Sequence, residues 1–112
     1  MPVFNASEYL RESIDAVLSQ TFTDFELVIS DNASTDETES ICREYAARDA
    51  RIRYLRQQRN IGALRNFEFV LKEARAPHFM WVAADDLPSP NWIEHLLHNL
   101  RDGDFGVFGE YQ

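Results

Sequence analysis

Cysteine is nearly absent. Cys42 is the single one in 112 residues, which excludes an internal disulfide and fits a reducing compartment, the cytoplasm. No apolar run is long enough to span a bilayer, and no segment has the layout of a secretory leader. Repeats, low-complexity tracts and linker-like stretches are missing too, so residues 1–112 read as a single domain. Basic residues are outnumbered: 11 Lys and Arg stand against 19 Asp and Glu, for a net charge of −8. That balance argues against nucleic acid or an anionic membrane as the main partner. An acidic protein that binds a phosphorylated ligand then needs local compensation from a metal, an arginine or helix N-termini. The remainder is ordinary for a globular chain, with 45% hydrophobic and 27% charged residues. The length suffices for a real core but is small for an enzyme handling two substrates.

Hydrophobic periodicity alternates between strand and helix. Met1 to Phe4 is short and apolar, like the tail of a strand. Asn5 with Glu8 has the form of a capping box, and Leu10, Ile14, Val17 and Leu18 predict an amphipathic helix over 6–20. Phe25 to Ser30 is apolar and β-branched, a strand interior to a sheet. Ser34 with Glu37 forms a second capping box before a helix whose buried stripe is Ile41, Cys42 and Tyr45. Ile52 to Leu55 alternates, as an edge strand does. After a turn at Asn60-Ile61-Gly62, the residues Leu64, Phe67, Val70, Leu71 and Ala74 line one face of a helix ending near Pro77. Phe79 to Ala83 predicts a strand buried on both faces, and Ser89-Pro90 the start of a helix carrying Ile93, Leu96, Leu97 and Leu100. Arg101 to Asp104 ends that helix, and Phe105 to Phe108 predicts a last strand. Such alternation implies an α/β fold, a Rossmann-like parallel sheet with right-handed crossovers and helices on both faces.

The predicted strand at 79–83 stops at two adjacent carboxylates, Asp85 and Asp86. Acidic residues at the carboxyl end of a buried strand sit where open α/β sheets bind ligands. Two carboxylates there repel unless a cation or donor lies between them, and Mg²⁺ or Mn²⁺ carrying phosphate oxygens suits that place. Asp pairs before helices also serve as turn caps facing water. The parallel topology decides for the ligand reading, because it gathers Pro2–Asn5, Asp31–Asp36 and Ala83–Leu87 along one rim.

Four segments carry a resemblance: P-V-F-N-A-S-E-Y-L, S-Q-T-F-T-D-F-E-L-V-I-S-D-N-A-S-T-D, N-I-G-A-L-R-N and A-A-D-D. In this order the chain resembles the family 2 glycosyltransferases, inverting enzymes of the GT-A fold that use nucleotide-diphospho sugars. The resemblance implies that Pro2, Val3, Phe4 and Asn5 border the nucleobase. It implies that Asp31 and Asn32, matching a D-D-G-S segment, hydrogen-bond the base (usually uracil) and the ribose; many members have Asp where this chain has Asn32. Arg65 falls where members place a basic residue near the pyrophosphate, though a solvated helix charge reads equally well. Asp85 and Asp86 match a D-x-D-like motif: Asp86 coordinates Mg²⁺ or Mn²⁺ bridging the phosphates, with Asp85 nearer the ribose or a metal-bound water. A fuller D-x-D-D has an acid where Ala83 stands, so coordination is sparser here. His78, His95 and His98 match no ligand pattern.

By the same resemblance the donor is a UDP-linked sugar, the acceptor a glycan or lipid-linked molecule of cell-surface polysaccharide synthesis. The location is cytoplasmic, at the inner face of the membrane through a partner or another segment. Two departures stand out. The family's first strand has several apolar residues before P-V-F-N, and here only Met1 precedes it. That strand is central, between 25–30 and 79–83, so a partner chain (a second copy included), a rearranged sheet or tag residues are expected to fill the slot. The family's general base and acceptor region lie beyond Gln112, so no catalytic residue is assigned. The alternatives are a truncated nucleotide-binding or assembly module without turnover, and a nucleotidyltransferase on a similar sheet. P-V-F-N-A-S-E is not the Gly-rich, basic loop the latter needs.

Overall fold

The computed structural model describes residues 1–100; the end of the last helix at Arg101–Asp104 and the strand expected at Phe105–Phe108 lie outside them. The elements run β1 (Pro2–Val3), α1 (Leu10–Leu18), β2 (Leu27–Asp31), α2 (Thr38–Arg48), β3 (Ile52–Arg56), α3 (Ala63–Glu73) and α4 (Trp92–Asn99). The sheet is parallel with order β1-β2-β3; Pro2 lies opposite Ser30, and Leu27 opposite Ile52. The α/β expectation therefore holds, with β3 at an edge as its wet, alternating pattern implied.

β2 is the spine, buried at every position. Its alternation sorts the two faces. Leu27 and Ile29 join Leu10, Ile14 and Val17 of α1 and Ile41, Cys42 and Tyr45 of α2 in the main core. Val28 and Ser30 turn to the other face, where α3 packs on β1 and β2 and places the fully buried Val70. α1 and α2 are joined across their polar edge by the Tyr45 hydroxyl, which donates to Asp15 Oδ1 at 2.7 Å. Cys42 is core, and burial pushes its thiol up to about 12.

Local departures share one cause. Residues 79–83 form no strand, correcting the expectation of a strand buried on both faces. A strand exists only through a ladder partner, and β1 is too short to reach it. Trp81 is held instead by α3, its indole N–H donating to the Phe67 carbonyl at 3.1 Å and its ring meeting Phe79 edge-on. An apolar cavity of about 610 Å³ opens between β2 and this segment, lined among others by Met1, Val28, Leu71, Met80, Val82 and Leu97. Among the described residues nothing fills that slot. For the same reason α3 does not bury its predicted face: Val70 is covered, while Leu64, Phe67 and Leu71 are exposed. α1 begins at Leu10 rather than residue 6, and neither predicted capping box forms. The capping side chains bond another loop instead.

The Met1 nitrogen donates to the Val28 carbonyl at 2.8 Å, which continues the ladder of β1 beside β2.

Candidate functional site

Two loops at the carboxyl ends of β1 and β2 are laced together. Ser34 Oγ accepts the Asn5 N–H at 2.9 Å, Thr38 Oγ1 accepts the Ala6 N–H at 2.9 Å, and Asn5 Oδ1 accepts the Thr35 N–H at 2.8 Å. Asp36 adds a double contact, accepting Thr38 N–H through Oδ1 at 2.9 Å and Ser7 N–H through Oδ2 at 3.2 Å. Burial works against its charge, yet the bonds from Thr38 and Ser7 outweigh it and bring Asp36 down to about 2. Asn5 and Ser34, read from sequence as caps of their own helices, thus cap across the gap between loops.

Beneath this lacing sits Asp31, whose side chain has no exposure. Its Oδ1 accepts the Ser34 N–H at 2.9 Å, and its Oδ2 accepts the Tyr54 hydroxyl at 2.6 Å and Arg56 Nη1 at 3.0 Å. Arg56 also donates to the Ser34 carbonyl at 3.0 Å. Burial and then the bond to Asp31 raise the Tyr54 phenol, keeping it a donor. Placed this way, Asp31 is enclosed by protein donors and shapes the loop from below.

The next residue does reach a cavity. Pro2, Val3, Phe4, Asn32, Asn60, Ala63, Asn66 and Phe67 line a pocket of about 190 Å³. Sites for drug-sized ligands run to about 300–1,000 Å³, so this one suits a single planar ring rather than a whole nucleotide sugar. Asn32 is fixed inside it: Oδ1 accepts the Ile61 N–H at 2.8 Å and Nδ2 donates to Asn60 Oδ1 at 3.0 Å. Asn60 Oδ1 also accepts the Gly62 N–H at 2.8 Å. Asn66, nearly fully buried, is tied to β2 twice, by Nδ2 to the Ser30 carbonyl at 2.9 Å and by Oδ1 accepting the Ser30 hydroxyl at 2.6 Å. Gln57 Nε2 completes the cluster on Ser30 Oγ at 3.1 Å. The pocket is thus walled by amides on one side and offers the half-exposed Phe4 ring on another.

The acidic pair lies outside that pocket. Ala83 to Asp86 is a closed turn: the Asp86 N–H donates to the Ala83 carbonyl at 3.1 Å, and Asp86 Oδ2 accepts the Ala83 N–H at 2.9 Å. Asp85 is exposed and Asp86 half-buried. Among the described residues no three His, Cys, Asp or Glu are grouped to hold a metal ion. Two carboxylates on an exposed turn fit the protein's share of Mg²⁺ or Mn²⁺ whose other ligands are phosphate oxygens and water. They do not fit an all-protein cage. Arg65 is exposed on α3 and is not a pocket residue, and His78, His95 and His98 are exposed as well.

Of the residues assigned from sequence, the structure therefore brings Pro2, Val3, Phe4 and Asn32 into one pocket. Asn5 is laced beside it, Asp31 lies below, and Arg65, Asp85 and Asp86 are elsewhere. Sequence reasoning missed Asn60 and Asn66 as pocket residues, and Tyr54 and Arg56 as the partners of Asp31. The two asparagines bracket the N-I-G-A-L-R-N segment; amides flanking a glycine turn at the mouth of a parallel sheet were the available signal.

A model of the family described as Glycosyl transferase family 2 matches residues 1–111. An uncharacterized glycosyltransferase of Rickettsia felis is 33% identical over 117 aligned residues, covering 100% of this chain and 19% of that protein. The chain thus spans about a fifth of the length of this curated relative. The crystal structure of S. aureus TarS 1–349 in complex with UDP superposes with a TM-score of 0.79 at 24% identity, over 87% of this chain and 29% of that 1–349 chain. The mannosyltransferase PcManGT from Pyrobaculum calidifontis, in complex with GDP-Man and Mn²⁺, superposes at 0.61 and 24% identity, over 66% of this chain and 23% of the other. These likenesses are to the fold.

One position in the loop carries strain. Ala33, where D-D-G-S has glycine, holds φ at +61°, a left-handed conformation that costs an L-residue roughly 1–2 kcal/mol. Ala33→Gly is expected to leave stability unchanged or raise it by up to about 1 kcal/mol in urea unfolding, since glycine's freedom in the unfolded chain offsets part of the gain. Ala33→Val, β-branched, is expected to lower it by about 1 kcal/mol or more. The reverse order would contradict this backbone geometry.

Proposed function

The chain belongs to glycosyl transferase family 2, and from that premise we propose that it forms the donor-binding part of an inverting, metal-dependent glycosyltransferase using a UDP-linked sugar. The observation that carries this reading is the ring-sized pocket where Phe4 and Asn32 meet Asn60 and Asn66. Phe4 offers its face for stacking on a base, and amide donors beside it complement ring carbonyls such as those of uracil. The UDP bound to TarS and the Mn²⁺ and GDP-Man bound to PcManGT support a nucleotide-diphospho donor and a divalent cation.

In this reading the chain's residues divide the donor between them. The pocket holds the base, and Asp31 keeps the loop bearing Asn32 in register from below. Asp86, with its carboxylate oriented by the Ala83 N–H, and Asp85 beside it hold Mg²⁺ or Mn²⁺ against the diphosphate. When bound, that ion supplies Lewis-acid neutralisation of charge developing on the leaving nucleoside diphosphate. Arg65 adds a positive charge toward the same phosphates. The acceptor, a glycan or lipid-linked molecule at the cytoplasmic face of a membrane, and the general base that deprotonates it belong to other parts of the longer polypeptide. Cell-surface polysaccharide synthesis is the process this implies.

Calorimetry with UDP, with and without Mn²⁺, tests the assignment. UDP is expected to bind the wild-type chain and Mn²⁺ to tighten it about tenfold, roughly 1.4 kcal/mol. Asp86→Ala is expected to lose that gain while keeping metal-free binding, and Phe4→Ala to weaken both. Absence of UDP binding under either condition defeats the proposal. Hydrolysis of UDP-sugar by the chain separates turnover from a binding-only module.

A further inference from the structure

We infer that Gln20 is a positioning residue, which fixes the turn of Asp85 and Asp86 from a distant point in the sequence through a three-bond amide latch. The inference rests on the reading above in taking that turn to face the diphosphate. Gln20 follows α1 and is almost fully buried, at 2% exposure. Its Nε2 donates to the Ala16 carbonyl at 3.1 Å and to the Ser89 carbonyl at 2.7 Å, and its Oε1 accepts the Ile93 N–H at 3.0 Å. One side chain thus anchors itself to α1, grips the loop behind the acidic turn, and satisfies a free N–H in the first turn of α4. Asn91, the residue preceding α4, makes no side-chain cap, so the cap comes from Gln20, 73 positions away in sequence. The adjacent residue doubles the grip: the Thr21 N–H donates to the Pro90 carbonyl at 2.8 Å and its hydroxyl to Glu94 at 2.7 Å.

The chemistry selects glutamine. The latch needs two donors and one acceptor, uncharged, in a buried place. Glutamate lacks the donors, lysine and arginine lack the acceptor and bring a charge, and asparagine is one methylene shorter. The grip reaches the carboxylates because the intervening chain is stiff. Pro88 and Pro90 fix their own φ and hold Leu87 and Ser89 extended, Pro88 is buried, and the turn at Ala83–Asp86 is closed at both ends. With no ladder to hold residues 79–83, this acidic segment is tied to the core by side-chain packing of Met80, Val82 and Ala84 before the turn and by the latch after it.

The test uses the 112-residue chain with Gln20→Met, which keeps volume and loses all three bonds, and Gln20→Glu, which keeps the α4 cap and loses both donors. In the metal-free protein, amide exchange by NMR at Ala83 and Asp86 is expected to speed up about tenfold in both variants, with Leu27 and Ile29 unchanged. Binding of uridine, which carries no diphosphate, is expected to match wild type, while the Mn²⁺-dependent tightening of UDP is lost. A variant that folds with wild-type exchange at Ala83 and Asp86 and keeps the Mn²⁺ gain overturns the positioning role. Failure of the wild-type chain to show any Mn²⁺ gain would instead sink the functional reading, and the exchange rates would still decide for or against the latch.

Discussion

The arrangement hangs on a carboxylate out of reach of water. Asp31 ends β2, and a buried anion is tolerable only with charge-assisted donors around it. Ser34, Tyr54 and Arg56 supply them. They come from two places, one from the following loop and two from β3, so satisfying the charge fixes the loop and the strand together. Removing one partner of such a buried pair costs on the order of 3 kcal/mol or more. Once the loop is set, Asn32 must point into the pocket, and Ala33 must accept a left-handed backbone. Asp31 therefore sets the geometry of the loop that bears Asn32.

The unfinished sheet explains a second group of features. β1 has only two residues, so residues 79–83 lack a ladder, and Leu64, Phe67 and Leu71 of α3 stay exposed while Val70 is covered. These look like unrelated irregularities along the sequence. They are one consequence, since a strand lying between two others supplies hydrogen bonds to both and covers apolar surface on each face.

The two halves of the site are supported differently. The ring-sized pocket is built on the sheet, where Ser30 and Asn66 pin α3 to β2 by buried bonds and Gln57, just after β3, adds a third bond to Ser30. The acidic turn is not on the sheet; it lies between a segment packed on the core through Met80, Val82 and Ala84 and the Gln20 latch. A rigid pocket with a separately tethered pair of carboxylates suits a ligand that is planar at one end and polyanionic at the other. In the donor-binding reading proposed above, that ligand is a nucleotide-diphospho sugar, in keeping with membership of glycosyl transferase family 2.

Local pattern was enough for the elements whose partners are close in the chain. The helical periods, the apolar run of β2 and the alternating edge of β3 declare themselves because burial on one face leaves a period in the residues. Phe4 and Asn32 were singled out by the family resemblance, whereas Asp85 and Asp86 also stood out by themselves, as adjacent carboxylates after an apolar run. What the order of residues left open was every decision taken between distant segments. Whether Phe79 to Ala83 pairs depended on a neighbour's length, not on its own apolar character. Whether Asn5 and Ser34 cap their own helices or each other's loops depended on how closely β1 and β2 pass. Whether Asp31 meets a ligand or Arg56, and whether Gln20 is a surface amide or a latch, depended on which donors the fold brought within about 3 Å. Hydrogen bonds are short and directional, so a residue's type states what it can bond, and only the packed chain decides which partner it meets.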